Sequence, residues 1–157
     1  MSPHIYIDAD ACPVREETYR VARRHRVPVT VVANQWLRTP REPGITFQLV
    51  TGDFDAADDW IAEAADRHAI VVTSDILLAE RCLKAGATVM SPKGELFTPA
   101  SIGSMIATRA IMTDLRDQLT GKGNDTGFRG GPAPFSPRDR SRFLEALHLA
   151  VERLKRG

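Results

Sequence analysis

Cysteine is scarce: Cys12 and Cys82 are the only two in 157 residues, and they form no CxxC pair or other zinc spacing. That excludes a disulfide-stapled or zinc-ribbon fold and leaves free thiols, as expected in a reducing compartment. Excess charge is lacking too. The net charge of +1 means that attraction to a polyanion has to come from a local patch, not from the chain as a whole. No apolar run approaches the roughly 20 residues a membrane span needs, and residues 1–6 pass into a strand with no charged leader or apolar signal region. No internal repeat is visible. A cytoplasmic protein with no membrane contact is expected. What remains is an ordinary globular composition, 43% hydrophobic and 26% charged, in a chain of one domain's length that can bury a core unaided.

Strand and helix signals alternate along most of the chain. Residues 4–7 are a short apolar run ending in Asp8. Residues 13–26 turn helical, with Val14, Thr18, Val21 and Ala22 on one face, arginines on the other and Pro13 suited to the first turn. Residues 27–33 (VPVTVVA) and 69–73 (AIVVT) are β-branched and read as buried strands. Residues 45–50 and 87–90 are further strands, and 36–44 is loop. Residues 55–68 predict a helix with Ala57, Trp60, Ile61, Ala64, Ala65 and His68 on one stripe. Residues 75–85 predict another, stopped by Gly86. Such alternation implies βαβ units, a mostly parallel sheet and right-handed crossovers, within a single domain spanning 1–157.

Residues 97–157 read as a helical C-terminal extension that caps the α/β body. One amphipathic helix spans 99–119 (Ile102, Met105, Ile106, Met112, Leu115, Leu119), and a second spans 137–155 (Phe143, Leu144, Leu147, Ala150, Val151, Leu154). Residues 121–137 between them, with five glycines and three prolines, predict a flexible loop.

Ligands of open α/β sheets bind outside the carboxyl ends of the strands, and acidic residues gather there. Asp8 and Asp10 follow the first strand; Asp53, Asp55, Asp58 and Asp59 follow the strand at 45–50; Asp75 follows AIVVT. Converging carboxylates repel one another and raise each other's pKa. A divalent cation removes that penalty, and all-oxygen ligands select Mg²⁺ or Mn²⁺. Such a site suits phosphoryl chemistry. Asp55 and Asp75 can equally cap the helices they open. Asp8 is harder to explain that way, because a carboxylate ending a buried strand is costly without a partner.

Other residues carry two readings each. Cys12 precedes a helix, which can activate a thiol, but packed cysteines are the usual case. Thr73 and Ser74 can orient a phosphate or cap a helix. The four histidines are dispersed and read as structural. Arg20, Arg23, Arg24 and Arg26 are a solvated helix face or a phosphate patch. Arg129, Arg138 and Arg140 flank the Gly/Pro loop with Phe128 and Phe135, either as phosphate forks and stacking aromatics or as a helix-opening turn on a Phe135 anchor. Lys93 and Gly94 can approach phosphate or simply form a turn.

The stretches IYIDADACPV (5–14), VVAN (31–34), GDFDAADDWI (52–61), VVTSDILLAERCLKAGATVMSPKG (71–94) and RGGPAPFSPRDRSRF (129–143) closely resemble the bacterial YaiI/YqxD family, which is assigned a PIN-like nuclease fold. The resemblance implies a PIN-like three-layer α/β/α domain that binds Mg²⁺ or Mn²⁺ and cleaves nucleic acid, with RNA the expected substrate. By position, Asp8 matches the first PIN acid and Asp75 the third; the helix acid is Asp58 or Asp59, and Asp10 stands where many PIN proteins carry Asn or Ser. The resemblance allows a homodimer.

The expected site is therefore Asp8, Asp10 and Asp75 in catalysis, Asp8, Asp58, Asp59 and Asp75 on the metal, and Ser74, Arg129, Arg138 and Arg140 on the substrate. Two other functions compete. A haloacid-dehalogenase-type phosphatase would use Asp8 as nucleophile and Asp10 as acid/base, but its acidic pair should follow the Thr/Ser motif, whereas Asp58 and Asp59 precede Ser74. A non-catalytic RNA-binding module would have kept the carboxylates without using them.

Overall fold

The computed structural model describes residues 3–10, 12–53, 55–120 and 134–156, and for Arg109 and residues 112–120 the backbone only. The β-branched runs form the middle of one six-stranded sheet. In chain order the elements are β1 (His4–Asp8), α1 (Arg15–His25), β2 (Val29–Ala33), β3 (Ile45–Leu49), α2 (Ala56–Ala64), β4 (Ala69–Val72), α3 (Ile76–Lys84), β5 (Thr88–Met90), β6 (Leu96–Phe97), α4 (Pro99–Thr120) and α5 (Pro137–Arg156). The strand order is β3-β2-β1-β4-β5-β6. All pairings are parallel except the last, β5 with β6. β2 and β4 are buried along their whole length, as strands covered on both faces must be.

Each sheet face buries its own cluster. On one face Ile5, Ile7, Val29, Val31 and Val72 pack with Val14, Tyr19 and Ala22 of the α1 segment and Phe143, Leu147 and Val151 of α5. On the other, Val32, Ala69, Val71 and Val89 pack with Ala57 and Ile61 of α2, Leu78, Ala79 and Cys82 of α3 and Ile102 of α4. The result is a three-layer α/β/α fold with a mostly parallel sheet. The two C-terminal helices do not form a joint cap: α5 joins the layer of α1, and α4 that of α3. Arg140 of α5 meets Glu17 early in α1, while His148 of α5 meets His25 at its end, so the two helices run in the same direction. The stripe expected at Met112, Leu115 and Leu119 and the loop at 121–133 lie outside the described side chains. No helix among the described residues is long and apolar enough to cross a membrane.

Several boundaries differ from the sequence expectation. α1 starts at Arg15, leaving Pro13 in the preceding turn, and ends with Arg26 in the left-handed region at φ 57. α2 stops at Ala64 and not near His68, because Ala65 is already extended. Asp66 would oppose the helix dipole at that end; its side chain instead accepts the His68 N–H at 2.9 Å and turns the chain into β4. β6 was not anticipated: two residues are too few to show an alternating pattern, and the strand exists only through its antiparallel register with β5, Val89 opposite Phe97 and Met90 opposite Leu96.

Candidate active site

The strand order reverses between β1 and β4. From β1 the chain moves outward through α1 to β2, and from β4 it moves the other way through α3 to β5. The carboxyl ends of β1 and β4 therefore open into the crevice where such sheets bind ligands. Side chains alternate along β1. Ile5 and Ile7 face the α1/α5 layer, so Tyr6 and Asp8 face α2 and α3. In the β1–β4 register Ile7 lies opposite Val72, which brings Thr73, one residue further, beside Asp8.

Thr73 is the central link of the site. Its buried hydroxyl donates to Asp8 Oδ2 at 2.8 Å and accepts the Asp75 N–H at 3.0 Å. Asp8 also accepts from the backbone N–H of Asp10. Despite those two bonds, burial pushes the Asp8 carboxyl up to about 6, with the charges of Asp10 and Asp75 adding to the shift. Asp75 caps α3, and both cap bonds, from the N–H groups of Leu77 (2.9 Å) and Leu78 (3.2 Å), go to Oδ1. Oδ2 is left uncommitted by the cap. Asp58, in the first turn of α2, is likewise raised to about 6, first by burial and then by Asp75, Asp8 and Asp55, and it shares a hydrogen bond with Asp75. Three elements thus bring Asp8, Asp58 and Asp75 into mutual electrostatic contact.

The two helix acids are separated by their bonds. Asp59 is exposed and paired with Arg81 of α3 at 2.7 Å, so it is Asp58 that faces Asp8 and Asp75. Asp55 is the N-cap residue of α2 but makes no side-chain cap bond. Asp10 is exposed at the rim, and with the Asn34 amide nitrogen turned toward it, that group donates to its two oxygens at 3.0 and 2.8 Å. Asn34 ends the VVAN stretch and had no assigned site role from sequence, whereas Thr73 had two readings, orienting a phosphate or capping the helix. The available signal was position: each is a small polar residue directly after a buried strand next to β1.

The expected substrate contacts are dispersed. Ser74 is exposed in the β4–α3 turn, at the carboxyl edge. Arg138 is exposed in the first turn of α5. Arg140 is instead tied to the buried Glu17 of α1, Nε to Oε2 at 2.9 Å, which holds α5 on α1. Ser136 and Asp139 exchange bonds at 3.0 and 3.2 Å in a helix-opening turn, and Phe135 packs on the α1/α5 core as an anchor. Arg129 and Phe128 lie outside the described residues. Arg23, Arg24 and Arg26 sit at the far end of α1, at the amino edge of the sheet, and Arg23 is engaged by Glu42 at 2.9 Å. Ser91 Oγ accepts the N–H groups of Lys93 and Glu95, each at 3.2 Å, which makes the stretch after β5 a turn. Burial lifts the Cys12 thiol to about 11, so it is not a poised nucleophile.

Over residues 6–153 the chain matches the family described as "Uncharacterized BCR, YaiI/YqxD family". The chain belongs to the YaiI/YqxD family. It is 60% identical over 156 residues to a UPF0178 protein of Sphingopyxis alaskensis, covering 99% of this chain and 97% of that one. A UPF0178 protein of Rhodospirillum centenum is 54% identical over 153 residues, covering 98% and 97%. One from Brucella ovis is 52% identical over 154 residues, covering 98% and 91%. No solved structure matches the chain.

In this YaiI/YqxD member, Thr73 bonds Asp8 and Asp75 at once, so its removal is expected to act on both. Thr73→Val leaves Asp8 Oδ2 and the Asp75 N–H without a protein partner, at a cost of about 2 kcal/mol. Thr73→Ser keeps the hydroxyl and most of the stability. Urea denaturation of the two variants checks this; equal midpoints would show that the hydroxyl has no such role.

Proposed function

We propose that the protein is a Mg²⁺- or Mn²⁺-dependent nuclease that hydrolyses RNA phosphodiesters at Asp8, Asp58 and Asp75. The observation that carries this reading is the convergence of those carboxyls, from three separate elements, at the strand-order reversal of the sheet. Among the described residues, no three His, Cys, Asp or Glu side chains are already close enough together to hold a metal ion. The fit is therefore one of donor chemistry and charge: an all-oxygen set, partly buried, with two members raised to about 6 and, among the described residues, no ion pair to either. When bound, the cation supplies charge neutralisation and a water of lowered pKa.

The protein's own groups have distinct tasks in this reading. Thr73 and the Asp10 N–H fix the rotamer of Asp8. The α3 cap holds Asp75 through Oδ1 and leaves Oδ2 outside the cap bonds. Asp58, on the first turn of α2 and facing Asp75, completes the oxygen set that would hold the cation. Asp10, anchored by Asn34, closes the rim and supports Asp8.

Incubating labelled single-stranded RNA with the protein and Mn²⁺ tests the proposal. Cleavage is expected from the native chain and not from Asp8→Asn or Asp75→Asn; cleavage persisting in both variants would overturn it. Saturating Mn²⁺ should also stabilise the native protein, by about 2.7 kcal/mol at a hundredfold excess over Kd. Failure of Mn²⁺ and Mg²⁺ to raise the melting temperature would favour a non-catalytic module.

A further inference from the structure

The loop joining β2 to β3 is the longest connection between adjacent strands of the sheet that contains no helix, and it carries the most exposed large apolar side chain among the described residues. Trp36 is 72% exposed. It lines a groove of about 780 Å³ with Arg38, Pro40 and Arg41 of the same loop, Phe47 of β3 and Glu16 of the first turn of α1. Arg38 and Arg41 are exposed, and neither has a carboxylate partner among the described residues. Glu42, the next carboxylate along the loop, is turned away from them: Arg23 of α1 holds both its oxygens, at 2.9 and 3.0 Å from Nε. The groove thus keeps two uncommitted guanidinium groups against the single carboxylate of Glu16.

This combination selects a ligand. Exposed indole offers a flat apolar face, Phe47 and Pro40 add apolar wall, and two arginines supply planar donors matched to phosphate oxygens. Successive bases stack on aromatic side chains while basic groups track the backbone, which is how single strands are gripped without reading sequence. A duplex cannot offer its base faces in this way. The groove also lies near the rim of the site. Trp36 is two residues from Asn34, which holds Asp10, so its Cα lies within about 7 Å of the Cα of Asn34. Phe47 belongs to the α1/α5 face, whereas Asp58 and Asp75 lie on the α2/α3 face. A strand seated on Trp36 reaches the carboxylates by crossing the carboxyl edge of β2 and β1.

We infer that Trp36, Arg38 and Arg41 form a stacking and phosphate-binding platform that feeds single-stranded nucleic acid to the acidic site. The inference deepens the nuclease reading and rests on it for the chemistry at Asp8, but binding is measurable without cleavage. The test uses the full chain in EDTA, with a fluorescein-labelled 12-residue oligouridylate followed by anisotropy and by quenching of tryptophan emission. Trp36→Ala should weaken binding about tenfold, and Trp36→Phe should restore most of it. The double variant Arg38→Ala, Arg41→Ala should reduce the slope of log K against log salt by about 1.4. Asp8→Asn should bind the oligonucleotide at least as tightly as the native chain. Unchanged affinity in Trp36→Ala, or equal affinity of the native chain for a blunt-ended RNA duplex of the same length, would overturn the platform. So would concentration-dependent quenching without oligonucleotide, accompanied by a dimer in sedimentation, which would assign the groove to a second copy. Loss of cleavage in Asp8→Asn with binding retained separates the two proposals, as does platform failure with cleavage intact.

Discussion

Asp8→Asn is expected to melt at a higher temperature than the native chain in metal-free buffer at pH 7.5, while losing cleavage roughly a thousandfold, the equivalent of several kcal/mol of transition-state stabilisation. Both effects have one cause. The Asp8 carboxyl is held at about 6, against 3.8 for the free group, because burial and neighbouring acids oppose its charge. The folded state therefore binds a proton at a pH where the unfolded chain does not. Stability from this group is highest below about 4 and falls as pH rises through 6, where the folded state must carry the charge. A shift of this size is on the order of 3 kcal/mol. The amide loses one of the two bonds Asp8 accepts, at about 1 kcal/mol, which leaves a net gain near 2 kcal/mol and a melting point roughly 4–8 °C higher. Asp58, raised to about 6 by its own burial and its neighbours, adds a second contribution of the same sign. His4 and His25, both lowered from 6.5 by burial, act in the opposite sense, removing stability as pH falls below 6.5. These groups are common to both proteins, so the difference between the two melting curves isolates Asp8. That difference should be large at pH 7.5 and vanish near pH 4. A variant less stable than the native chain at pH 7.5 would refute this account of the site's electrostatics.

Gly94→Ala is expected to destabilise the fold by about 3–5 kcal/mol, lowering the melting temperature on the order of 10 °C. Gly94 follows β5 at φ +85, in the left-handed region. A Cβ there would lie 2.6 Å from the backbone carbon of Arg142, and 2.7 Å from both its carbonyl oxygen and the nitrogen of Phe143. These are helix backbone atoms and cannot rotate aside. Phe143 is fully buried, so shifting α5 outward would open the core it fills. Gly86→Ala is the matched control. Gly86 also has positive φ, at +90, but its Cβ would sit 3.6 Å from Arg67, in ordinary contact. It should show only the backbone cost of about 1 kcal/mol. Thermal denaturation of the two variants side by side separates close approach from backbone conformation, and equal losses would mean that α5 does not press on Gly94.

The parts of this protein that could be read from sequence are those decided by local pattern. β-branched runs at 29–33 and 69–72 had to be strands buried on both faces, and their alternation with helical stripes required a parallel sheet with crossovers. Asp8 stood out because a carboxylate ending such a strand needs a reason. The stripe from Phe143 to Leu154 likewise meets the core as its spacing demanded. Harder to read was anything settled by which elements become neighbours. Asp58 and Asp59 are adjacent in sequence and equally acidic; the helix turns one toward Asp75 and the other toward Arg81, and only the packing of α2 on α3 says which. Arg140 looked like a phosphate fork until α5 lay along α1, where Glu17 takes it.

By itself, then, the sequence determined the fold class and the list of acids at strand ends, since hydrophobic periodicity and strand-end position are properties of neighbouring residues. The tertiary structure decided which of those acids come together. Strand order set β4 beside β1, the register set Thr73 beside Asp8 across 65 residues of chain, and its one hydroxyl then joined Asp8 to Asp75. Interactions at that separation depend on how the elements pack, and no local pattern records it.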